Sequence, residues 1–244
     1  MPRDPFASYA SSIRALPPDE RLGKDDLLTP EFRLHQDERL AIYYAPFDHV
    51  NGDAKVAVVG VTPGWTQMEI AYRSASRDLR AGLPPGEVLR RAKRRASFAG
   101  TMRKNLTTML DDLGLPEHLW IGATETLFAE DHPLLHATSA IRYPVFVKGR
   151  NYAGHSPKPL KSPPLRYLIE HVLAEELRLM PEAVIVPLGR AVSGMLRPLA
   201  YAGIIEDDRC LWGFPHPSGA NGHRVREFQE RRAQLREQLR EWTR

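Results

Sequence analysis

KVAVVGVTPGW, Lys55–Trp65, is the stretch whose reading decides the fold. Its apolar core, Val56–Val61, is rich in β-branched residues and too short for a helix, so it reads as a buried strand. Pro63-Gly64 then turns the chain, and Thr66-x-x-Glu69 has the form of a capping box that starts a helix directly behind the strand. A parallel sheet gathers its ligand-binding loops outside the carboxyl ends of its strands. GVTPGW (Gly60–Trp65) is therefore one candidate pocket wall. HPSGAN (His216–Asn221), which follows the apolar run CLWGF, is a second.

Strand–helix alternation continues outward from this point. A basic helical stretch runs to about Arg95, and Met102, Leu106, Met109, Leu110 and Leu113 repeat at helical spacing until Gly114. Residues 115–135 match no single pattern. His136–Ile141 reads as a second strand and 143–164 as a long basic loop. Leu165, Leu168, Ile169, Val172 and Leu173 mark a further amphipathic helix. Ala183–Pro187 is a clear strand before a helix near 190–201, and Leu211–Phe214 is the last strand. Val225, Phe228, Leu235, Leu239 and Trp242 form the apolar stripe of a charged terminal helix. This order predicts an α/β fold, a three-layer αβα arrangement around a central four-stranded parallel sheet. Residues 46–244 form that domain, and 1–45 form an ordered N-terminal extension packed on it.

Composition narrows the function classes. The 244 residues suffice for one large domain, and 42% apolar with 26% charged residues excludes disordered and fibrous classes. There is no apolar run of membrane-spanning length and no basic-then-apolar leader, so a cytoplasmic protein away from membranes is expected. Cys210 is the single cysteine, which excludes an internal disulfide, a multi-cysteine zinc site and a four-cysteine iron–sulfur cluster. None of the nine histidines pairs as His-x-x-x-His with an adjoining glutamate, so no metal is expected. The net charge of +4 favours a polyanionic partner. Arg90, Arg91, Lys93, Arg94 and Arg95 form one dense run, and Lys148, Arg150, Lys158 and Lys161 stud the Pro/Gly-rich stretch, which together point towards nucleic acid.

The ordered set of motifs resembles the uracil-DNA glycosylase superfamily over roughly residues 50–240. The set comprises a strand ending in G-x-x-P-G, SFAGTMRKNLTTML (Ser97–Leu110), a strand with a polar residue at its end, VPLGRAV (Val186–Val192), and a strand ending in HPS. The resemblance implies a monomeric DNA glycosylase acting on single- or double-stranded DNA without a cofactor. Such an enzyme reads a base flipped out of the stack and stabilises negative charge on the departing base. By that resemblance His216 stabilises the leaving base and Thr62 positions water. Gly60, Val61, Pro63 and Gly64 line the base pocket, Phe98 stacks on the base, and Ser139, ahead of Thr138, reads its edge. Ser218 holds a phosphate, Gly219, Ala220 and Asn221 form the loop that wedges into the duplex, and Arg94, Arg95, Lys148 and Arg150 meet further phosphates.

Three positions depart from the family pattern. Thr62 stands where many members carry Asp or Asn, and a hydroxyl is no carboxylate base. Glu69 on the following helix is a candidate substitute. Ser139 replaces a base-reading asparagine, which removes the amide's paired donor and acceptor. Gly64 replaces a tyrosine that blocks carbon 5, which opens space for a 5-substituted pyrimidine. Two other functions fit the same residues: a non-catalytic nucleic-acid-binding module of this fold, and a nucleoside or nucleotide hydrolase.

Overall fold

The computed structural model describes residues 5–98, 100–129 and 132–242. In chain order the elements are α1 (Pro5–Ala15), α2 (Lys24–Leu27), β1 (Arg33–Gln36), β2 (Ala41–Tyr43), β3 (Val56–Gly60), α3 (Trp65–Arg80), α4 (Pro85–Ala96), α5 (Thr101–Leu113), α6 (Leu115–Leu119), β4 (Leu135–Ser139), β5 (Val145–Val147), β6 (Arg150–Asn151), α7 (Pro163–Tyr167), α8 (Ala174–Arg178), β7 (Val184–Pro187), α9 (Arg190–Tyr201) and α10 (Arg224–Trp242). A π-helical turn at Leu168–Leu173 joins α7 to α8.

The molecule is mixed α/β with two separate sheets. A three-stranded parallel sheet runs β4-β3-β7, and a four-stranded antiparallel sheet runs β1-β2-β5-β6. Every residue of β3 is buried. Ala57 and Val59 pack on one side with Met68, Ala71 and Ala75 of α3, whereas Val56 and Val58 pack on the other with Leu106 and Leu110 of α5 and Leu235 of α10. Helices thus cover both faces of the parallel sheet, which is why its strands are apolar at successive positions.

The sequence expectation of four parallel strands is corrected here. Leu211–Phe214 forms a turn, and the contact with β7 shrinks to one parallel bridge between Cys210 and Ile185. Trp212 and Gly213 leave the extended conformation at once, so no ladder can propagate. The long loop at 143–164 is also corrected, because it contains the β5–β6 hairpin that completes the antiparallel sheet.

The N-terminal residues are woven into the rest. β2 pairs with β5, and Phe6 and Ile13 of α1 are buried. Arg80, in the last turn of α3, donates to the carbonyls of Arg14, Ala15 and Leu16, which are the carbonyls a helix end leaves unpaired. Tyr9 stacks on Tyr44 at 4.1 Å, and Tyr72 donates from its hydroxyl to the Tyr44 carbonyl.

Local signals account for the helix starts. The chain begins α3 at Trp65, and the Gln67 side chain accepts the Gly64 N–H at 3.1 Å. This replaces the expected Thr66/Glu69 box. Glu69 instead accepts the Leu22 N–H and pairs with Arg73. The expected single basic helix is two, α3 and α4, because Gly82 and Pro84 interrupt it and Pro85 opens α4.

Buried charges tie these layers together. Glu176 of α8 is fully buried and is shared among Lys93 of α4, His136 of β4 and Arg142. Arg142 lies 3.9 Å from Asp48, which accepts hydrogen bonds from Tyr44 and Tyr143. Burial alone would raise the Glu176 pKa, but the Lys93 and Arg142 charges hold it well below the usual carboxylate range. Removing one partner of such a cluster strands the others without solvation. Glu176→Ala is expected to cost about 3–5 kcal/mol in urea unfolding, whereas the solvent-exposed Glu182→Ala leaves the midpoint unchanged.

Candidate functional site

The carboxyl ends of β3 and β4 open into one cavity of about 240 Å³. That is smaller than the roughly 300–1,000 Å³ typical of pockets for drug-sized ligands, so it suits a single ring system. Gly60, Val61, Thr62, Pro63, Gly64, Phe98, Ser139 and His216 all line it. Residues more than a hundred positions apart are therefore brought to one place. Phe47, Met102 and Ala137 add apolar wall, and Gln67, Lys93, Thr138, Arg142 and Asn151 add polar groups.

Each part is positioned by a specific contact. Backbone N–H groups of Ala140 and Ile141 bond to the carbonyls of Gly60 and Val61, which locks the two strand ends together. Gly60 lets an aromatic ring lie on the strand end, since a Cβ there would sit 3.2 Å from Phe98 Cε1. Phe98 itself has φ +48, an uncommon backbone for a bulky residue. Thr62 donates its hydroxyl hydrogen to the Tyr143 carbonyl at 2.8 Å. Its lone pairs remain for the cavity, so it can accept a hydrogen bond from water but has no proton left to give.

His216 is held in one tautomer. Its Nδ1 accepts the backbone N–H of Ser218 at 3.2 Å, so in the neutral ring the proton is on Nε2. Burial lowers its pKa, which favours that neutral form. The surrounding loop is pinned by Asn105, which donates to the Pro217 carbonyl, and by Asn221, which donates to the His216 carbonyl. Behind it, Gly189 has φ +87, and a Cβ there would lie 2.9 Å from His216 Cβ.

Several sequence expectations change on contact with this geometry. Gly64 does not widen the cavity, because a Cβ there would meet Asn151 Nδ2 and Gln67 Oε1 at 3.0 Å each. Asn151 accepts the Trp65 N–H through Oδ1, which leaves its NH₂ group available. Glu69 lies outside the lining residues, and among the described residues no carboxylate lines the cavity. Arg94 donates to the carbonyls of Leu127, Ala129 and His132, and Arg95 bonds to Ser74 and Asp78. Both are partly buried and tie α4 to its neighbours. Lys148 and Arg150 are exposed at the β5–β6 hairpin, next to Asn151. Gly219 and Ala220 form the exposed tip of the His216 loop, where the Ser218 hydroxyl accepts the Ala220 N–H.

The sequence reading missed Asn151, Gln67, Lys93 and Arg142 as lining residues. It also missed Arg190, 82% exposed on the cleft behind His216. Lys93 lies within a basic run and Arg142 directly after the second expected strand, but nothing in their spacing says that they turn inward. Among the described residues, no cluster of His, Cys, Asp or Glu could hold a metal ion, and no helix is long and apolar enough to cross a membrane.

Over 240 residues the chain is 41% identical to the uncharacterized protein YoxB of Bacillus subtilis (strain 168), covering 98% of this chain and 93% of that protein. The chain belongs to the YoxB family. That match takes in the N-terminal segment as well as both sheets of this chain. No family model and no solved structure matches the sequence.

Gly189→Ala is expected to cost about 1–3 kcal/mol, because its backbone lies in a region that only glycine adopts easily. The same change pushes His216 from its place, and calorimetry with the NMR shifts of the His216 ring reports both. A second outcome concerns acid. Burial first, then the Lys93 charge, lowers the His136 pKa from 6.5 to about 4. The unfolded chain takes up this proton near 6.5 and the folded chain only near 4. Stability therefore falls as pH drops between those values, by up to about 1.4 kcal/mol per pH unit. The depressed Glu176 contributes stability that is lost only at lower pH. Urea melts from pH 7 to 4.5 measure the slope.

Proposed function

We propose that this chain is a DNA glycosylase of the uracil-DNA glycosylase type, hydrolysing the N-glycosidic bond of a flipped, uracil-like or modified pyrimidine. One observation carries the reading. A histidine whose neutral ring carries its N–H on Nε2 stands at a ring-sized cavity whose wall includes the aromatic Phe98. Base excision asks for a stacking surface, a donor aimed at the anion that develops on the leaving base, and a site that excludes bulk water.

The roles follow from that arrangement. Phe98 packs against the base. As the bond between sugar carbon and base nitrogen breaks, the electron pair leaves with the base, and His216 donates to the oxygen on which the charge collects. Water then adds to the sugar cation, oriented by the Thr62 oxygen, and releases its proton to solvent. No carboxylate is needed if bond breaking precedes water attack, which agrees with the lining residues described. Arg190, Lys148 and Arg150 are exposed cations suited to phosphates. The filled space beside Gly64 favours an unsubstituted ring over one bulky at carbon 5.

A second reading has an observation of its own. The Thr62 hydroxyl hydrogen is committed to Tyr143 and no described carboxylate lines the cavity, which suits a module that grips DNA without cleaving it.

Oligonucleotides bearing uracil, a deaminated purine or a 5-substituted cytosine, incubated with the protein and then treated with alkali, separate the two. Strand scission at uracil, reduced roughly 100- to 1,000-fold in His216→Ala, is expected. No scission on any substrate, with salt-sensitive DNA binding intact, favours the binding module.

A further inference from the structure

The parallel sheet has a second groove, at the end opposite the cavity. Its lining includes Lys55 directly before β3, Glu182 before β7 and Asp208 before the Cys210 bridge. It therefore lies at the amino ends of the strands, whereas the cavity lies at their carboxyl ends. The groove measures about 900 Å³, and Trp120, at the end of α6, and Trp242, at the end of α10, are its aromatic walls.

Two lining residues are ones that the fold does not ask for. Trp120 is 94% exposed, so its ring adds almost nothing to the core. Its φ of +56 is a conformation that glycine or asparagine adopts at a helix end with less strain. Neither packing nor backbone preference accounts for tryptophan here. Glu241 stands in the last turn of α10, where the helix dipole favours a cation over a carboxylate. Both residues line the same groove.

The charge of the groove is one-sided. Lys55 and Arg209 are already paired with Glu182 and Glu206. Glu117, Asp208 and Glu241 have no ion-pair partner among the described residues. An adjoining groove shares Glu206, Asp208 and Glu241, which extends the acidic strip. Leu179 and Tyr201, also exposed, close α8 and α9 at this same end of the sheet. In a chain of net charge +4 an acidic strip beside exposed apolar side chains is an exception, and it repels nucleic acid.

We propose that this groove docks a lysine- and arginine-rich segment of a partner protein, with one cation packed on the Trp120 ring and its neighbours held by Glu117, Asp208 and Glu241. A cation over an aromatic face is attracted by the ring's electrons, and indole is the best such face. The unpaired carboxylates supply the complementary charge that fixes register. Because the groove and the cavity stand at opposite ends of the sheet, the docked segment leaves the cavity mouth open. The inference does not depend on base excision.

The test measures binding of a fluorescein-labelled peptide of alternating arginine and serine to the full chain by fluorescence anisotropy. Binding that weakens as salt is raised is expected. Trp120→Ala is expected to lower affinity about fivefold and to leave the melting temperature unchanged, whereas Trp120→Phe keeps most of the affinity because a ring remains. Glu241→Lys is expected to lower affinity about tenfold. Glu20→Lys, at an exposed acid of the N-terminal segment, changes it less than about twofold. No binding, equal binding by wild type and Trp120→Ala, or equal losses in Glu241→Lys and Glu20→Lys overturns the inference. Sedimentation identifies the occupant. A wild-type monomer supports a partner segment, and a dimer that dissociates in Trp120→Ala shows a second copy in the groove and overturns it.

Discussion

The shared carboxylate of Glu176 is the constraint on which the rest of the structure depends. It is fully buried, and it is contacted by cations from α4 and from the segment after β4, and by a histidine from β4 itself. Burying one carboxylate is unfavourable; surrounding it with Lys93 and Arg142 reverses the sign and makes each group a condition for the others. The same two cations line the cavity. Charge balance inside the fold and the polarity of the cavity are therefore one problem with one solution.

The cavity is assembled from pieces that no single element could supply. β3 and β4 bring their carboxyl ends together, α4 sends in Lys93, the residues after α4 supply Phe98, and the loop ahead of α10 brings His216. The antiparallel sheet contributes Asn151 across the mouth of α3. Backbone groups do most of the positioning: His216, Thr62, Gln67 and Asn151 are each fixed by a backbone N–H or carbonyl. Side chains fixed in this way keep their remaining hydrogen-bonding groups turned to a ligand.

Much of the parallel sheet was legible from sequence because buried strands announce themselves as short β-branched runs. Val56–Gly60 and Val184–Pro187 are such runs. The antiparallel sheet was not legible. Its strands are two to four residues long, and RLHQ, AIY, VFV and RN carry no period that could be counted. The inward bonds of the arginine run were hidden for a different reason. A guanidinium bonded to carbonyls, as Arg94 is, and one bonded to phosphate look identical in sequence. His216 and Gly60 were found through their motifs, whereas Asn151 was hidden because its role depends on where a hairpin folds back.

The hairpin that carries Asn151 has a consequence for how this family can diversify. β6 is an edge strand of two residues, joined to β5 by an exposed turn. The exposed turn itself carries no buried charge and belongs to no strand of the parallel sheet, yet changing it moves an amide that lines the cavity. Exposed turns tolerate such change far better than cores do. Ligand preference can thus be retuned at the periphery while the interior stays fixed, which is the separation that lets one scaffold serve several chemistries.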